Sequence, residues 1–468
     1  EYVADRVETM GTMFLGLTLT CSRCHDHKYD PIEQKDFYRL FAFFNSIAEK
    51  GRGHGNAPPL LRRIAPPLAA RIAELDVRLE AEKDKPARAA LAKQREQLVA
   101  SAPSVMVMQE LADPRATHIL IRGGYDRPGE RVQPGIPAAL DFARDRRSDR
   151  AAAANRLDLS EWIVDPRNPL TARVAVNRYW QMHFGRGLVR SPDDFGLRGS
   201  LPTHPGLLDW LATEFLRTGW NVKAMQRLIV TSTTYRQSSS GTRELLQRDP
   251  ENELLARTAR YRLNAETIRD QALASSGLLV QRLGGPSVKP YQPPGLWHEL
   301  MSASRKYEVG SGADLYRRSM YTFVRRTVPH PAMTIIDAPN RETCAMRRPR
   351  TNTPTQALVL LNDPQLVEAA RSLAESALAL SGQDGDSAVL SRMTRRLLAR
   401  PARKRELEIL NASLRHYRDR YLRDQKSAQQ LVEIGASQPA ANLAVSELAA
   451  WTAVANLILN LDETLTRE

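Results

Sequence analysis

The sequence predicts a mainly α protein: a multi-helical body with a projecting helical hairpin and a small β element. Three observations carry that expectation. Apolar residues recur every three or four positions along most of the chain, the spacing of one helix face. From about Leu68 to Ala100 the residues are largely Ala, Leu, Glu, Arg and Lys, strong helix formers broken once at Lys85-Pro86. Residues 105–110 and 117–122 read as the best strands in the chain, a small β element between helical blocks.

Taken in order, Val3, Val7, Met10, Phe14 and Leu17 mark a helix that runs into Cys21-Ser22-Arg23-Cys24-His25. Asp30-Pro31 interrupts the chain, because the residue before proline avoids the helical region. A second helix follows with an apolar stripe of Phe37, Leu40, Phe41 and Phe44, suited to wall one side of a macrocycle. Residues 51–59 are a loop by composition and contain His54. The Leu68–Ala100 stretch, with alternating charge, suggests a hairpin that serves as spacer or oligomer contact. The Gly123–Glu130 run is a turn, without the spacing or trailing Lys-Ser/Thr of a phosphate loop.

Beyond Leu157 the pattern is helical almost throughout. Helices are expected at Leu170–Phe184, Leu207–Leu216, Val222–Thr231, Asn264–Leu283, Pro354–Asn362 and Pro364–Leu380, with paired amphipathic helices to Leu465. The expected divisions are 1–56, 57–104, 105–155 and 156–468.

The chemistry concentrates in Cys21, Cys24 and His25. C-x-x-C-H is the attachment signature of c-type haem. Two thiols three residues apart share a helix edge, and the histidine beside them is placed to ligate iron as the proximal residue. The expected cofactor is one covalent haem c per chain, with zinc or no cofactor as alternatives. A zinc site would draw on Cys21, Cys24 and one of His25, His27 or His54, although no second C-x-x-C supplies the missing ligands. A redox dithiol normally follows a strand, whereas these residues follow a helical pattern.

The 67 basic against 53 acidic residues give a formal charge of +14. The arginines are scattered among acids rather than gathered in one basic block, so nucleic acid is an unfavoured partner. No apolar run is long enough to span a bilayer. The chain opens within a helical pattern at Glu1, which reads as the C-terminal portion of a longer exported precursor. Three cysteines leave only Cys344 once two are consumed by a haem, so no intrachain disulfide is expected.

Several motifs carry a family resemblance. Cys21 through Ile32 and the Asp36–Phe44 run resemble the end of the DUF1549 domain. Asn177–Trp180, His183–Gly187, Asp193–Gly196, Pro202–Pro205, Arg350–Leu358 and Leu361–Pro364 resemble the DUF1553 domain. The resemblance implies a large exported protein of Planctomycetes and related bacteria, periplasmic or held in the cell envelope. It also implies a setting of haem and electron transfer, in which an upstream cytochrome c domain of the same precursor is one candidate redox partner.

Other candidates are weaker. His183 and His204, in the family-like loop region, are the best distal haem ligands, with Met182, Met301 and Met346 behind them. Asp193-Asp194 supports a hydrolase alternative, though turn formation or helix capping explains the pair better. Arg347, Arg348 and Arg350 suit haem propionates, an acidic substrate, or pairing with Asp337 or Glu342. Cys344 is expected to be buried, and Thr353 to cap a helix. The leading expectation is an exported c-type haem protein in electron transfer or haem-dependent redox chemistry. The alternatives are an envelope scaffold with a structural metal and the hydrolase.

Overall fold

Gly16 decides where the first helical run stops. The computed structural model describes residues 1–49, 59–142, 154–300, 306–380 and 385–467, so His54 and Met301 lie outside the described residues. Helix α1 spans Tyr2–Met10 and passes into a single π-turn at Gly11–Leu15. Gly16 then takes φ 61°, the left-handed conformation that favours glycine and ends helices. A β-carbon there would come within 2.8 Å of the Phe195 ring. The cysteine motif therefore does not continue an α-helix, as the apolar spacing suggested. It starts on a 3-10 turn, Leu19–Arg23.

The chain folds as two units. The first comprises residues 1–176, 189–201 and 206–220, the second 177–188, 202–205 and 221–468.

In the first unit, helix α2 (Gln34–Asn45) starts with a reciprocal cap between Glu33 and Asp36. Its Phe37, Leu40, Phe43 and Phe44 are buried in one core with Val7, Leu15 and Leu19. The aromatic stripe thus fills the core and leaves no open wall for a macrocycle. Strand β1 (Leu60–Arg62) pairs antiparallel with β2 (Ser104–Met106), at the two ends of the hairpin α3 (Pro66–Ala81) and α4 (Lys85–Ser101). Helix α4 has no buried residue and α3 buries only Ile72 and Leu75, as expected of a solvated hairpin. Strand β3 (Thr117–Leu120) pairs with β4 (Pro128–Val132), with Thr117 opposite Val132. Helix α5 (Arg156–Ile163), capped by Asn155, adds Leu159, Trp162 and Ile163 to the core. Helix α6 (Thr171–Phe184) begins in this unit, and α7 (Pro205–Arg217) buries Leu208, Leu211 and Phe215.

The second unit is built on two helices with small-residue faces. After α8 (Val222–Thr231) and α9 (Arg243–Arg248) come β5 (Tyr261–Arg262) and α10 (Ala265–Ser276). Helix α10 ends at Gly277, φ 84°, seven residues short of the sequence expectation, because the apolar period carried on past a left-handed cap. Short helices α11 (Leu296–Leu300) and α12 (Pro331–Ile335) precede α13 (Pro354–Asn362) and α14 (Pro364–Ala379). Then come α15 (Asp386–Leu398), α16 (Lys404–Arg423), α17 (Gln425–Val432), α18 (Val445–Leu459) and α19 (Asp462–Leu465). Helices α14 and α18 form the centre. Ala369, Ala370 and Ala374 share the core with Ala449, Ala450 and Ala455, and such short side chains let the two backbones approach closely. Strand β6 (Thr466–Arg467) returns to pair with β5. No helix among the described residues is long and apolar enough to cross a membrane.

Candidate functional site

The 3-10 turn presents the cysteine motif in a specific way. Cys21 lies within the turn and Cys24 ends it, the Cys24 N–H donating to the Cys21 carbonyl at 3.2 Å. Both are exposed, as is His25, while Ser22 between them is fully buried. The turn is clamped from within. The Arg23 carbonyl accepts from Gln34 Nε2 at 3.1 Å and from the Tyr38 hydroxyl at 2.9 Å. Gln34 Nε2 also donates to the Leu120 carbonyl, tying the turn to β3.

The polar residues that follow are mostly engaged in structure. Asp26 Oδ1 accepts from the Gln34 N–H at 2.8 Å, ahead of α2. The Asp30 N–H donates to His27 Nδ1 at 2.9 Å, which leaves the imidazole proton on Nε2, toward Thr18 Oγ1. Buried Asp30 accepts from the Leu197 N–H at 2.7 Å, and Gly196 lies so close that a β-carbon would sit 2.4 Å from its carboxylate. The Phe195 N–H donates to the Gly16 carbonyl at 2.6 Å. Two stretches about 170 residues apart in sequence, Gly16–Asp30 and Phe195–Leu197, thus lock together in the first unit.

His25 differs from its neighbours. Its Nδ1 donates to the Asp26 carbonyl at 2.6 Å, which fixes the tautomer and leaves Nε2 as an exposed acceptor. That is the second-shell arrangement of a metal-ligating histidine. Two exposed thiols three residues apart beside an oriented imidazole fit the donor set of a covalently attached haem. Among the described residues no group of three or more His, Cys, Asp and Glu side chains is gathered to hold a metal ion. Gly123, φ 71°, packs against Cys24, where a β-carbon would meet Sγ at 2.8 Å. Gly123→Ala is therefore expected to slow alkylation of Cys24 relative to Cys21, measured by mass spectrometry of a timed iodoacetamide reaction.

The remaining candidates have other occupations. His183 and His204 belong to the second unit. His183 Nε2 is hydrogen-bonded to Gln226 Oε1 and its ring meets Tyr235 edge-on, while His204 Nδ1 faces Thr203 Oγ1 at 3.1 Å. Asp194 closes an Asx turn, accepting from the Gly196 N–H at 3.0 Å, and Asp193 is exposed. Arg348 pairs with Glu266 at 2.7 Å, and Arg350 donates to the Gly185 carbonyl while stacking on Tyr261. Thr353 caps α13 as expected. Cys344 is exposed, not buried: it lies on an irregular polar segment, residues 339–353, which supplies no apolar face to cover it.

A second constellation has almost no linear signature. A cleft of about 440 Å³ in the second unit is lined by Tyr291, Pro293, His330, Leu358 and Asp363, among others. A smaller chamber of about 30 Å³ shares Tyr291, His330 and Asp363 and adds Arg269 and Gln365. Burial, with the Arg269 charge second, pushes the His330 imidazole down to about 4. Burial also pushes the Asp363 carboxyl up. The only linear signal was the Val328-Pro329-His330-Pro331 punctuation, which marks a turn and says nothing of what it faces.

The His330 shift has a consequence for stability. Between the ordinary pKa of 6.5 and about 4 the unfolded chain binds a proton that the folded chain does not. Its contribution is therefore complete above pH 6.5 and is lost as pH falls toward 4, by about 3 kcal/mol in the limit. Arg269, Tyr291 and Asp363 are the titratable groups around the ring. His330→Phe should flatten the pH dependence of the urea midpoint in that window.

Comparison with known families gives two matches. A model described as PSD1, protein of unknown function (DUF1553), matches residues 155–414. A model described as PSCyt2, protein of unknown function (DUF1549), matches residues 1–49, which include the cysteine motif. No curated protein and no solved structure matches the chain.

Proposed function

The chain belongs to the PSD1 (DUF1553) family, and from that premise we propose that it is a c-type haem-binding protein of the cell envelope that acts in electron transfer. Cys21 and Cys24 are the attachment thiols and His25 the axial ligand. One observation carries the reading: in a turn whose other polar groups are mostly tied into the fold, two thiols and an oriented imidazole within five consecutive residues are all exposed. Attached there, a haem supplies one-electron redox chemistry at its iron.

The residues themselves do the positioning. Ser22 is buried, and Gln34 and Tyr38 hold the Arg23 carbonyl, which fixes the turn between the two thiols. The Asp26 carbonyl accepts a hydrogen bond from the His25 Nδ1–H, which raises the basicity of Nε2. Exposure of all three groups supports transfer to a docked redox partner rather than chemistry in an enclosed substrate pocket. Attachment of this kind takes place outside the cytoplasmic membrane, which is the basis for the envelope assignment. Protein exported with a cytochrome c maturation system should retain its chromophore through acid-acetone extraction and give an alkaline pyridine haemochrome spectrum. A colourless extracted protein would refute the proposal.

A further inference from the structure

We propose that the cleft of the second unit binds an uncharged, mostly apolar small molecule that carries a carbonyl oxygen, recognised by Gln365 and His330. The inference is independent of the haem reading. The cleft of about 440 Å³ lies in the size range of small-molecule sites, and Pro293, Pro294, Ile335, Leu358 and Val359 give it apolar walls. His330 and Asp363 line both this cleft and the inner chamber, where Gln365 sits.

The polar groups choose the ligand. Both ring nitrogens of His330 and the amide nitrogen of Gln365 are out of contact with water and make no bond of ordinary hydrogen-bond geometry among the described residues, although the backbone of Tyr291 and of His330 itself lies close to the ring. Buried polar groups are nearly always paired, so three orphan atoms around one cavity point to a missing partner. A neutral imidazole offers one donor and one acceptor, and the Gln365 amide nitrogen offers donors only. An acceptor oxygen answers two of the three.

A charged ligand is disfavoured. Arg269 is the one cation lining the chamber, and it is spent on the fold. It donates to the carbonyls of Arg317 and Leu315, to Ser319 Oγ and to Gln365 Oε1. That last bond also fixes the Gln365 amide so that its nitrogen faces away from the guanidinium. The Asp363 carboxylate accepts from the Gln365 N–H at 3.0 Å as the cap of α14, and it would repel an anion.

The test uses two probes of nearly the same shape, 9-fluorenone and fluorene, which differ in the carbonyl. Equilibrium dialysis against the full chain should show one saturable site with fluorenone held about tenfold more tightly than fluorene, the worth of one buried hydrogen bond. His330→Phe should narrow the preference for fluorenone over fluorene, the Gln365 amide keeping the remainder. Leu358→Trp, at a position 62% exposed on the cleft wall, should abolish binding of both without disturbing the fold. Because that position is exposed, the arm stands even if His330→Phe does not fold. Equal affinity for the two probes, absence of saturable binding, or binding unchanged in Leu358→Trp overturns the proposal.

Discussion

Serine at both Cys21 and Cys24 is expected to leave a folded protein with no covalently held porphyrin. Both thiols are exposed, and serine is close in size, so the core loses nothing. The turn is held instead by buried Ser22 and by the Gln34 and Tyr38 bonds to the Arg23 carbonyl, none of which the substitution touches. Far-ultraviolet circular dichroism should match the parent, while the extracted protein should be colourless. Each single substitution should keep one thioether and a shifted haemochrome band. His25→Ala should retain the covalent chromophore but change its native visible spectrum, because only the axial bond is lost. That split separates an attachment role from a ligation role, and a structural zinc would produce neither pattern.

The largest stability effect is expected at Glu368, on α14. Its side chain is fully buried, and Oε1 accepts from the Tyr316 hydroxyl at 2.8 Å, the Ala436 and Ser437 N–H groups at 2.9 and 2.7 Å, and Ser437 Oγ at 2.8 Å. Oε2 accepts from the Tyr291 hydroxyl at 3.1 Å. Gly435 takes φ 98° beside it, where a β-carbon would overlap the carboxylate. Glu368→Ala opens a cavity and takes the acceptor from the Ser437 N–H and from the Tyr316 and Tyr291 hydroxyls, while the Ala436 N–H keeps the Tyr291 hydroxyl as its acceptor. A loss of about 3–5 kcal/mol in unfolding free energy is expected, read from the urea midpoint. Tyr316→Phe removes a single donor and should cost less, about 1.5–3 kcal/mol. Burial, reinforced by the Glu368 charge, pushes the Tyr316 hydroxyl up to about 12, so it stays a donor at neutral pH. Tyr291 also lines the cleft, so the Glu368 variant should weaken fluorenone binding as well.

The helical character of the chain was readable because its periodicity is strong. Val222–Thr231 and Pro354–Asn362 have the expected ends, for each is bounded by residues that cap or stop a helix: Asn221 before the first, Thr353 and Pro364 around the second. The two misplaced helix ends have one cause. Gly16 and Gly277 both adopt left-handed backbone inside an apolar spacing that continues beyond them, and periodicity does not register the sign of φ. The Phe37–Phe44 stripe was correctly seen as apolar but assigned to the wrong partner, since pattern shows that a face is buried and not against what.

Cys21, Cys24 and His25 were legible because their chemistry sits in five consecutive residues. The exposure of the three around a buried Ser22 was not. The His330–Gln365 constellation was illegible throughout. Its members come from α10, the turn before α12, and the start of α14, and only folding brings Arg269, His330 and Gln365 around one chamber. Asp193-Asp194 shows the converse: adjacent acids drew the eye, yet Asp194 spends its carboxylate on the turn that brings Gly196 against Asp30.

Trypsin gives the most direct test of the attachment site, because Arg23 lies between the two cysteines. Cleavage after Arg23 separates Cys21 from Cys24 unless one group bonds both. Digestion of the exported, matured protein should yield the two peptides as a single species that carries the added mass of a porphyrin and its iron. Two independent peptides, each with a thiol that takes up iodoacetamide, would contradict the account.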